Sequence, residues 1–236
     1  MDFKFVNNNS NILFIIFNSN NYDSSKFEFE NYLNRFFKNK KPPSYLYLRD
    51  VYLQWYYNGI QGFSKNYKET IDKINDYKKL YNFQNIICMG SSSGGYASLY
   101  FGCKLNANNI ICFSPQIELT RSVKLYYNKF HRLFKKFTTE KKEQFNLTKL
   151  INKHKNKIVI LWVNYSDFYN TSKKENAYVY QNLNDEKSYN TIKENKYIEH
   201  YFIKDSNHGD VGYNAIKNGY LETILKQINI LYIDII

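Results

Sequence analysis

The residues best suited to chemistry lie in the segment Gly90-Ser91-Ser92-Ser93-Gly94, between a short apolar run and a stretch of small residues. The pattern Gly-x-Ser-x-Gly is typical of a sharp turn from a strand into a helix, with the central serine at its tip. Glycines suit such a turn because side chains beside the serine would collide with the neighbouring strand and helix. The helix N-terminus below the serine stabilises negative charge next to it. The pattern therefore predicts Ser92 as a nucleophile for acyl chemistry.

Two other interpretations of this turn remain open: a tight connection without chemistry, or a cradle for a bound anion. The apolar run 86–89 before the turn, and Gly95 and Ala97 after it, favour the catalytic interpretation. They do so because they supply the strand and the helix that the motif requires. A phosphate-binding P-loop is excluded because no Gly-Lys-Ser or Gly-Lys-Thr follows the turn.

A serine hydroxyl needs a base to take its proton, and that base is usually a histidine oriented by a carboxylate. Of the four histidines, His208 comes just after the last predicted strand, so we expect it at the same sheet edge as Ser92. His200 falls inside that strand, where it is expected to pack. His131 and His154 lie in or near a basic insertion. The other interpretation of His208 is a loop residue that caps the C-terminal helix.

The acid of such a site is expected between the serine and the histidine in the sequence, after an intervening strand. Asp167 follows a strongly apolar run and is the first choice, because a carboxylate is needed to fix the imidazole tautomer. Glu118 is the second choice. Asp205 and Asp210 flank His208, but close sequence neighbours rarely reach its far ring nitrogen. Any of these carboxylates could instead belong to a turn or a helix cap.

An oxyanion hole needs two hydrogen-bond donors near the carbonyl oxygen of the substrate. One is expected to be the backbone N–H of Ser93, the residue after the nucleophile. The other is expected from the backbone of Asn18 or Ser19, which follow the apolar run 12–17. A simple polar turn is the alternative for that segment.

Short apolar runs alternate with helix-like stretches, which is typical of a mostly parallel sheet covered by helices. Strands are predicted at about 2–6, 11–17, 44–48, 85–89, 109–113, 157–163 and 197–203. Helices are predicted at about 25–38, 66–82, 94–104, 172–184 and 210–231. The length of 236 residues fits a single α/β domain over 1–236.

The segment 117–155 interrupts the alternation and is interpreted as a cap insertion, with eleven Lys or Arg against three Glu. Within it, the segment 121–137 has apolar residues at helical spacing and basic residues on the other face. It could cover the active site and suit an anionic or glycan substrate, or contact a membrane surface. An amphipathic helix that packs on the body of the protein is equally compatible with the pattern.

The formal net charge of +12 fits an anionic partner, such as nucleic acid, an anionic membrane face or an acidic glycan. We favour a different origin, the Asn- and Lys-rich composition that an AT-rich genome produces, because the lysines are scattered along the chain. No nucleic-acid partner is therefore expected. Hydrophobic residues make up 43% of the chain, which indicates a globular protein.

The three cysteines, Cys88, Cys103 and Cys112, lie in or beside apolar segments and show no metal-ligand spacing. An odd number of such cysteines indicates free thiols in a reducing compartment. The N-terminus lacks the plan of a signal peptide, and the apolar run 12–17 is too short to span a membrane. The sequence thus predicts a cytoplasmic protein with no metal ion and no cofactor.

The sharp turn at 90–94, called the elbow below, is followed by Gly95-Tyr96-Ala97, then by Asp167 and His208. This order resembles the α/β-hydrolase superfamily over about 12–230. Three further segments are similar to a subgroup of small bacterial α/β-hydrolase-like proteins, some associated with surface-polysaccharide or glycoprotein biosynthesis. They are Leu48-Arg49-Asp50, Trp55-Tyr56-Tyr57-Asn58-Gly59-Ile60 and Phe113-Ser114-Pro115-Gln116. The resemblance implies an eight-stranded, mostly parallel sheet and esterase, deacylase or acyltransferase activity. The oxyanion loop departs from the superfamily because it reads Phe17-Asn18-Ser19, without His-Gly or Gly-Gly.

These observations predict a serine esterase that acts on a small-molecule or glycan O-acyl ester, such as an acetylated sugar. An acyltransferase with the same triad is an alternative, because both reactions share the acyl-enzyme. A non-catalytic binding protein of the same fold is another. Arg49, Trp55 and Tyr56 are expected to line the pocket, since aromatic faces suit sugars, or else to belong to the core.

Overall fold

The computed structural model describes residues 2–20, 26–119, 146–164 and 177–228. These residues contain a seven-stranded sheet with the order β1-β3-β2-β4-β5-β6-β7. The pair β1–β3 is antiparallel and the other pairs are parallel. The strands are β1 (Phe3–Val6), β2 (Ile12–Phe17), β3 (Ser44–Leu48), β4 (Asn85–Ser91), β5 (Asn109–Phe113), β6 (Lys157–Val163) and β7 (Ile198–Ile203).

Helices cover both faces of the sheet in the described residues. They are α1 (Glu30–Phe36), α2 (Tyr67–Leu80), α3 (Ser93–Lys104), α4 (Thr148–Lys153), α5 (Ala177–Ile192), α6 (Val211–Lys217) and α7 (Tyr220–Gln227). Residues of α2, α3, α4 and α5 belong to the core on one face, and residues of α1, α6 and α7 belong to the core on the other.

The strand β2 shows why the central strands could be recognised as continuous apolar runs. Leu13, Ile15 and Phe17 pack into one core, and Ile12 and Phe14 pack into the other. All six residues of the strand are buried. A strand that is buried on both faces has no polar face to show in its sequence, which is the usual state of a parallel sheet between helices.

The predicted strands are confirmed with small shifts at their ends, and the helices differ more. The first helix is shorter than the predicted 25–38, because Phe29 has a left-handed backbone with φ of 62° just before α1. The predicted helix 210–231 is two helices, α6 and α7, which meet at Gly219 with φ of 75°. The helix α5 continues to Ile192, beyond the predicted end, and α4 was not predicted.

Several predictions concern residues outside the described ranges. The segment 121–137 lies there, as does most of the insertion 117–155, and so does Asp167. The described ranges hold seven strands where the resemblance implied eight. Among the helices of those ranges, none is long and apolar enough to cross a membrane.

The parallel topology brings several polar loops to one edge of the sheet. The strands β2, β4, β5, β6 and β7 run in the same direction, so the segments that follow them lie at a common edge. Ligands of open α/β sheets bind at this edge, outside the carboxyl ends of the strands. Asn18 follows β2, Ser92 follows β4 and His208 comes after β7. The topology therefore places these three predicted site residues at the same edge.

Candidate active site

Ser92 occupies the tip of the turn between β4 and α3 in a strained backbone conformation. Its φ of 53° and ψ of −115° are unusual for a residue with a side chain. Such conformations cost on the order of 1–3 kcal/mol and persist only where the surroundings enforce them. The Ser92 N–H donates to the Phe113 carbonyl at 2.8 Å, and the Ser92 carbonyl accepts from the Tyr96 N–H at 2.9 Å. These two bonds hold the turn between β5 and the first turn of α3.

The two glycines of the motif are required by close backbone contacts. A Cβ atom on Gly94 would lie 2.0 Å from the carbonyl oxygen of Phe17, at the end of β2. A Cβ atom on Gly90 would lie 2.4 Å from the carbonyl oxygen of Gly94. Real Cβ atoms do not come this close to backbone oxygens, so both positions exclude any other residue without a shift of the chain. The strand–turn–helix geometry predicted for the motif is confirmed.

His208 lies in the segment between β7 and α6, and its side chain is within hydrogen-bond distance of the serine. The Ser92 hydroxyl donates to His208 Nε2 at 2.8 Å. The segment is braced locally, because the Asn207 N–H donates to an Asp210 carboxylate oxygen at 2.7 Å and the Gly209 N–H donates to the Asn207 side chain at 2.9 Å. Asp210 therefore stabilises the turn, and His208 is left in a fixed, buried position with 3% of its surface exposed.

The carboxylate beside His208 is that of Asp185, which the sequence reasoning did not identify. His208 Nδ1 lies 2.9 Å and 3.0 Å from the two oxygens of Asp185. The first choice from sequence, Asp167, lies outside the described residues. The second choice, Glu118, is half-buried in a β-bridge with Asn146. Among the described residues, Asp185 is therefore the candidate for the orienting carboxylate, and the role of Asp167 stays a prediction.

A sequence signal for Asp185 was present in the spacing of helix α5. Asp185, Ser188 and Ile192 are buried on this helix, while Lys187 is exposed. Positions i, i+3 and i+7 lie on one helix face. A carboxylate on the buried face of a helix needs a partner, because burial of an isolated charge is very unfavourable. Extending the predicted helix beyond residue 184 would have drawn attention to this residue.

The buried pair of His208 and Asp185 has shifted protonation equilibria. Burial raises the pKa of Asp185, against the charge and the hydrogen bond of His208, which lower it. Burial alone would lower the pKa of His208, but the charge and the hydrogen bond of Asp185 raise it above its ordinary value. An ionised carboxylate can only accept, so it keeps the proton on Nδ1 and leaves Nε2 to accept from Ser92. The arrangement favours the imidazolium that forms when the serine loses its proton.

The loop after β2 does not offer the backbone donors that were predicted. The Asn18 N–H donates to the Leu48 carbonyl at 2.9 Å. The Ser19 N–H donates to the Glu28 carboxylate at 3.0 Å. Because both groups are bound within the protein, Asn18 and Ser19 are replaced as the candidate oxyanion donors.

Two other backbone N–H groups at this edge have no acceptor within the described part of the chain. They belong to Ser93, at the first turn of α3, and to Asn20, the third residue after β2. The two residues are joined directly, because the Ser93 hydroxyl donates to the Asn20 side-chain oxygen at 2.9 Å. Ser93 therefore remains a candidate oxyanion donor, and Asn20 becomes the second candidate in place of Asn18 or Ser19.

The three residues predicted to line a pocket are bonded to other parts of the protein. Tyr56 is fully buried, and its hydroxyl lies 2.8 Å from the Asn18 carbonyl and 3.0 Å from the Leu48 carbonyl. Arg49 is buried and donates to the Lys26 carbonyl at 2.7 Å. The Trp55 indole donates to the Gln116 side chain at 2.6 Å. Arg49 and Tyr56 therefore support the loops of this edge in place of the predicted contact with substrate.

The two other histidines that the structure describes, His200 and His154, take no part in the Ser92 hydrogen-bond chain. His200 lies in β7, and its Nδ1 accepts from the Trp162 indole at 2.9 Å, which confirms the prediction that it packs in the strand. His154 is buried at the end of α4. His131 lies outside the described residues.

The fold is that of known enzymes, although no protein-family model matches the chain and a search of curated proteins finds no match. The capsule O-acetyltransferase of Neisseria meningitidis serogroup A is 17% identical, with 95% of this chain and 91% of that chain covered and a TM-score of 0.63. A variant of the same acetyltransferase in complex with CoA gives a TM-score of 0.62, with 17% identity and the same coverage of 95% and 91%.

A fluorophosphonate-binding serine hydrolase of Staphylococcus aureus, FphF, is 14% identical, with 92% and 83% of the two chains covered and a TM-score of 0.58. An alpha/beta hydrolase enzyme from a lagoon-sediment metagenome is 14% identical, with 96% and 95% covered and a TM-score of 0.56. Together with the sheet order, these likenesses show that the chain has the α/β-hydrolase fold, as the resemblance implied.

The contact between Gly94 and β2 can be tested by adding one methyl group. We expect Gly94→Ala to lower the free energy of unfolding by about 1–3 kcal/mol, because the new Cβ would press on a backbone oxygen that cannot rotate away. Gly212→Ala in α6 is the matched control, since its Cβ would make only ordinary contacts, with the Phe29 ring at 3.5 Å and the Phe113 ring at 3.9 Å. The control should be unchanged or up to about 1 kcal/mol more stable. Urea denaturation measures both variants, and equal stabilities would contradict the close contact.

The pairing of His208 with Asp185 can be tested by titration of the histidines by NMR. We expect the pKa of His208 to lie above its ordinary value in the native protein. In Asp185→Asn it should fall below that value, because burial then acts without the compensating charge. His200 provides an internal control, since burial lowers its pKa and Asp185 is not among the causes of that shift. A His208 pKa that is the same in both proteins would contradict the pairing.

Proposed function

We propose that the protein is a serine esterase that cleaves an O-acyl ester through Ser92, His208 and Asp185. The observation that carries the proposal is the hydrogen-bond chain from the strained Ser92, through His208 at 2.8 Å, to the buried Asp185 at 2.9 Å. A nucleophile, a base and an orienting carboxylate in this order are the groups that serine hydrolysis requires. A purely structural turn would have no need of a strained serine next to a buried histidine.

In the first half of the reaction, the Ser92 oxygen attacks the carbonyl carbon of the ester while His208 Nε2 takes the hydroxyl proton. The carbonyl oxygen becomes negative as the tetrahedral intermediate forms. When the intermediate collapses, the bond to the alcohol breaks and the imidazolium of His208 gives its proton to the leaving oxygen. Asp185 holds the imidazole by Nδ1 and stabilises its positive charge. The products of this half are the free alcohol and an acyl ester on Ser92.

The negative oxygen is stabilised by the N–H groups of Ser93 and Asn20, assisted by the N-terminus of α3. These donors have no other acceptor in the described residues, so they are available to a substrate. Donors fixed in advance act strongly in a site that excludes water, and loss of one typically costs on the order of 10²- to 10³-fold in rate.

In the second half, water attacks the acyl-enzyme while His208 takes its proton, and the acid is released as Ser92 regains its hydrogen. A sugar hydroxyl in place of water gives acyl transfer instead of hydrolysis. The likeness to the capsule O-acetyltransferase favours this second candidate function and a glycan acceptor. A variant of that acetyltransferase binds CoA, which supports an acyl-CoA thioester as the donor for this chain. The CoA sulfur would then leave with the proton from His208.

The nucleophile can be identified with a fluorophosphonate probe. We expect the native protein to be labelled and Ser92→Ala to be inert, because the probe reacts with an activated serine. Ser91→Ala is the matched control, since Ser91 is the adjacent serine and should still allow labelling. Absence of labelling in folded native protein would overturn the proposal and favour a non-catalytic binding protein. Labelling of Ser92→Ala would also overturn it, because the activated nucleophile would then be another residue.

The acid can be assigned by comparing three carboxylate variants on a p-nitrophenyl ester. We expect Asp185→Asn to lower kcat by on the order of 10⁴-fold through the wrong imidazole tautomer. Asp167→Asn and Glu118→Gln should keep activity within a few-fold of the native protein. A reversal, in which Asp167→Asn is inactive and Asp185→Asn is active, would return the role to Asp167.

Hydrolysis and transfer are separated by following both products. The enzyme is given an acetylated sugar in water, and separately acetyl-CoA with a deacetylated glycan, while free acetate and glycan-bound acetate are quantified. Release of acetate from the first substrate supports the esterase. Glycan acetylation that depends on Ser92 in the second assay, without hydrolysis in the first, would assign the acyltransferase instead.

A further inference from the structure

The loop after β2 is held in place by one glutamate side chain. The oxyanion loop, residues 18–20, contains no glycine. The N–H of Ser19 donates to one carboxylate oxygen of Glu28 at 3.0 Å, and the Ser19 hydroxyl donates to the other. The Glu28 N–H in turn donates to the Asn18 side-chain oxygen at 3.2 Å. Three hydrogen bonds therefore connect this one residue to the two loop residues that precede Asn20.

Glu28 is itself anchored through the residues on either side of it. The Phe27 ring lies 5.4 Å from the Tyr47 ring of β3, and the Phe29 ring stacks 5.0 Å from the Phe113 ring of β5. These aromatic contacts fix the backbone on both sides of the glutamate to the sheet.

Arg49 adds a second attachment to the same segment. Its guanidinium lies 4.6 Å from the centre of the Phe27 ring and donates to the Lys26 carbonyl at 2.7 Å. The segment 26–29 is therefore packed firmly against the sheet, and the Glu28 carboxylate connects the oxyanion loop to it.

Both side-chain oxygens of Glu28 accept hydrogen bonds from Ser19. Burial raises the pKa of Glu28 above its ordinary value, although the two bonds from Ser19 and the positive charge of Arg49 act in the opposite direction. The loop is also tied on its other side, because Asn20 accepts from the hydroxyl of Ser93. Asn20 is therefore attached on two sides. Its side chain accepts from Ser93, and the preceding residue, Ser19, donates to Glu28.

We propose that Glu28 is a positioning residue of the oxyanion hole, which fixes the backbone N–H of Asn20 where the substrate oxygen becomes negative. The inference rests on the esterase or acyltransferase function proposed above. Glu28 does not touch the reacting atoms and acts only through Ser19 and the loop backbone. Because the oxyanion exists only in the transition state and the intermediate, loss of this positioning should lower kcat and leave KM nearly unchanged.

The test compares Glu28→Ala, Glu28→Gln and Glu30→Ala with the native protein on a p-nitrophenyl ester. We expect Glu28→Ala to lower kcat by on the order of 10²-fold with KM within about three-fold, since a displacement of about 1 Å can have this effect. Glu28→Gln should recover most of the loss, because its side-chain oxygen still accepts from the Ser19 N–H. Glu30→Ala removes a nearby carboxylate that pairs with Lys4 at 2.5 Å, and it should behave as native.

Two further measurements separate positioning from folding and from the proposed function. Thermal unfolding by circular dichroism shows whether Glu28→Ala is folded. Should it not fold, Ser19→Ala replaces it, because it removes only the hydroxyl bond and should lower kcat several-fold. Fluorophosphonate labelling of the native protein tests the proposed function separately. If the native protein is not labelled, the esterase or acyltransferase function itself is wrong. If the native protein is labelled, an unchanged kcat in folded Glu28→Ala, or a loss confined to KM, overturns the role of Glu28.

Discussion

The close contact between Gly94 and the carbonyl oxygen of Phe17 is the constraint on which the active-site edge depends. The space there is too small for a Cβ atom, since one on Gly94 would lie 2.0 Å from that oxygen. The contact sets the start of helix α3 against the end of strand β2. The packing of these two backbone segments therefore places Ser92 close to the loop after β2, independently of side-chain contacts. This explains why the motif needs glycine at position 94, two residues after Ser92, even though Gly94 takes no part in the chemistry.

The strained backbone of Ser92 and the burial of the Asp185 carboxylate both cost free energy, and both are connected through His208. The positive φ of Ser92 directs its hydroxyl to His208, and His208 gives Asp185 the partner that a buried carboxylate requires. A buried pair is costly when one partner is lost, because an uncompensated charge remains in a low-dielectric site. The hydrogen-bond chain is therefore stable only as a whole, and this favours one arrangement of the three side chains.

Much of the fold could be predicted because its strands are buried on both faces and read as continuous apolar runs. The elbow and His208 followed from a motif and from chain order. Asp185 could not be predicted in this way. The acid was expected in the loop after a strand, which pointed to the segment after β6, whereas Asp185 lies in helix α5. The second oxyanion donor could not be predicted for another reason. A sequence shows which side chains are present, but it does not show that the N–H of Ser19 is already bound to Glu28.

The loop after β2 shows how side chains can do work that glycine-rich loops do with backbone alone. Without glycine, residues 18–20 have fewer backbone conformations to choose from, and their N–H groups must be directed by partners. Glu28 holds Ser19 and Tyr56 contacts the carbonyl of Asn18, while Ser93 holds the side chain of Asn20. The partners come from three different parts of the chain, and one of them is the residue that follows the nucleophile. The two candidate oxyanion donors are thus tied to each other, so their separation is set by the fold before a substrate binds, which is the condition for electrostatic preorganisation.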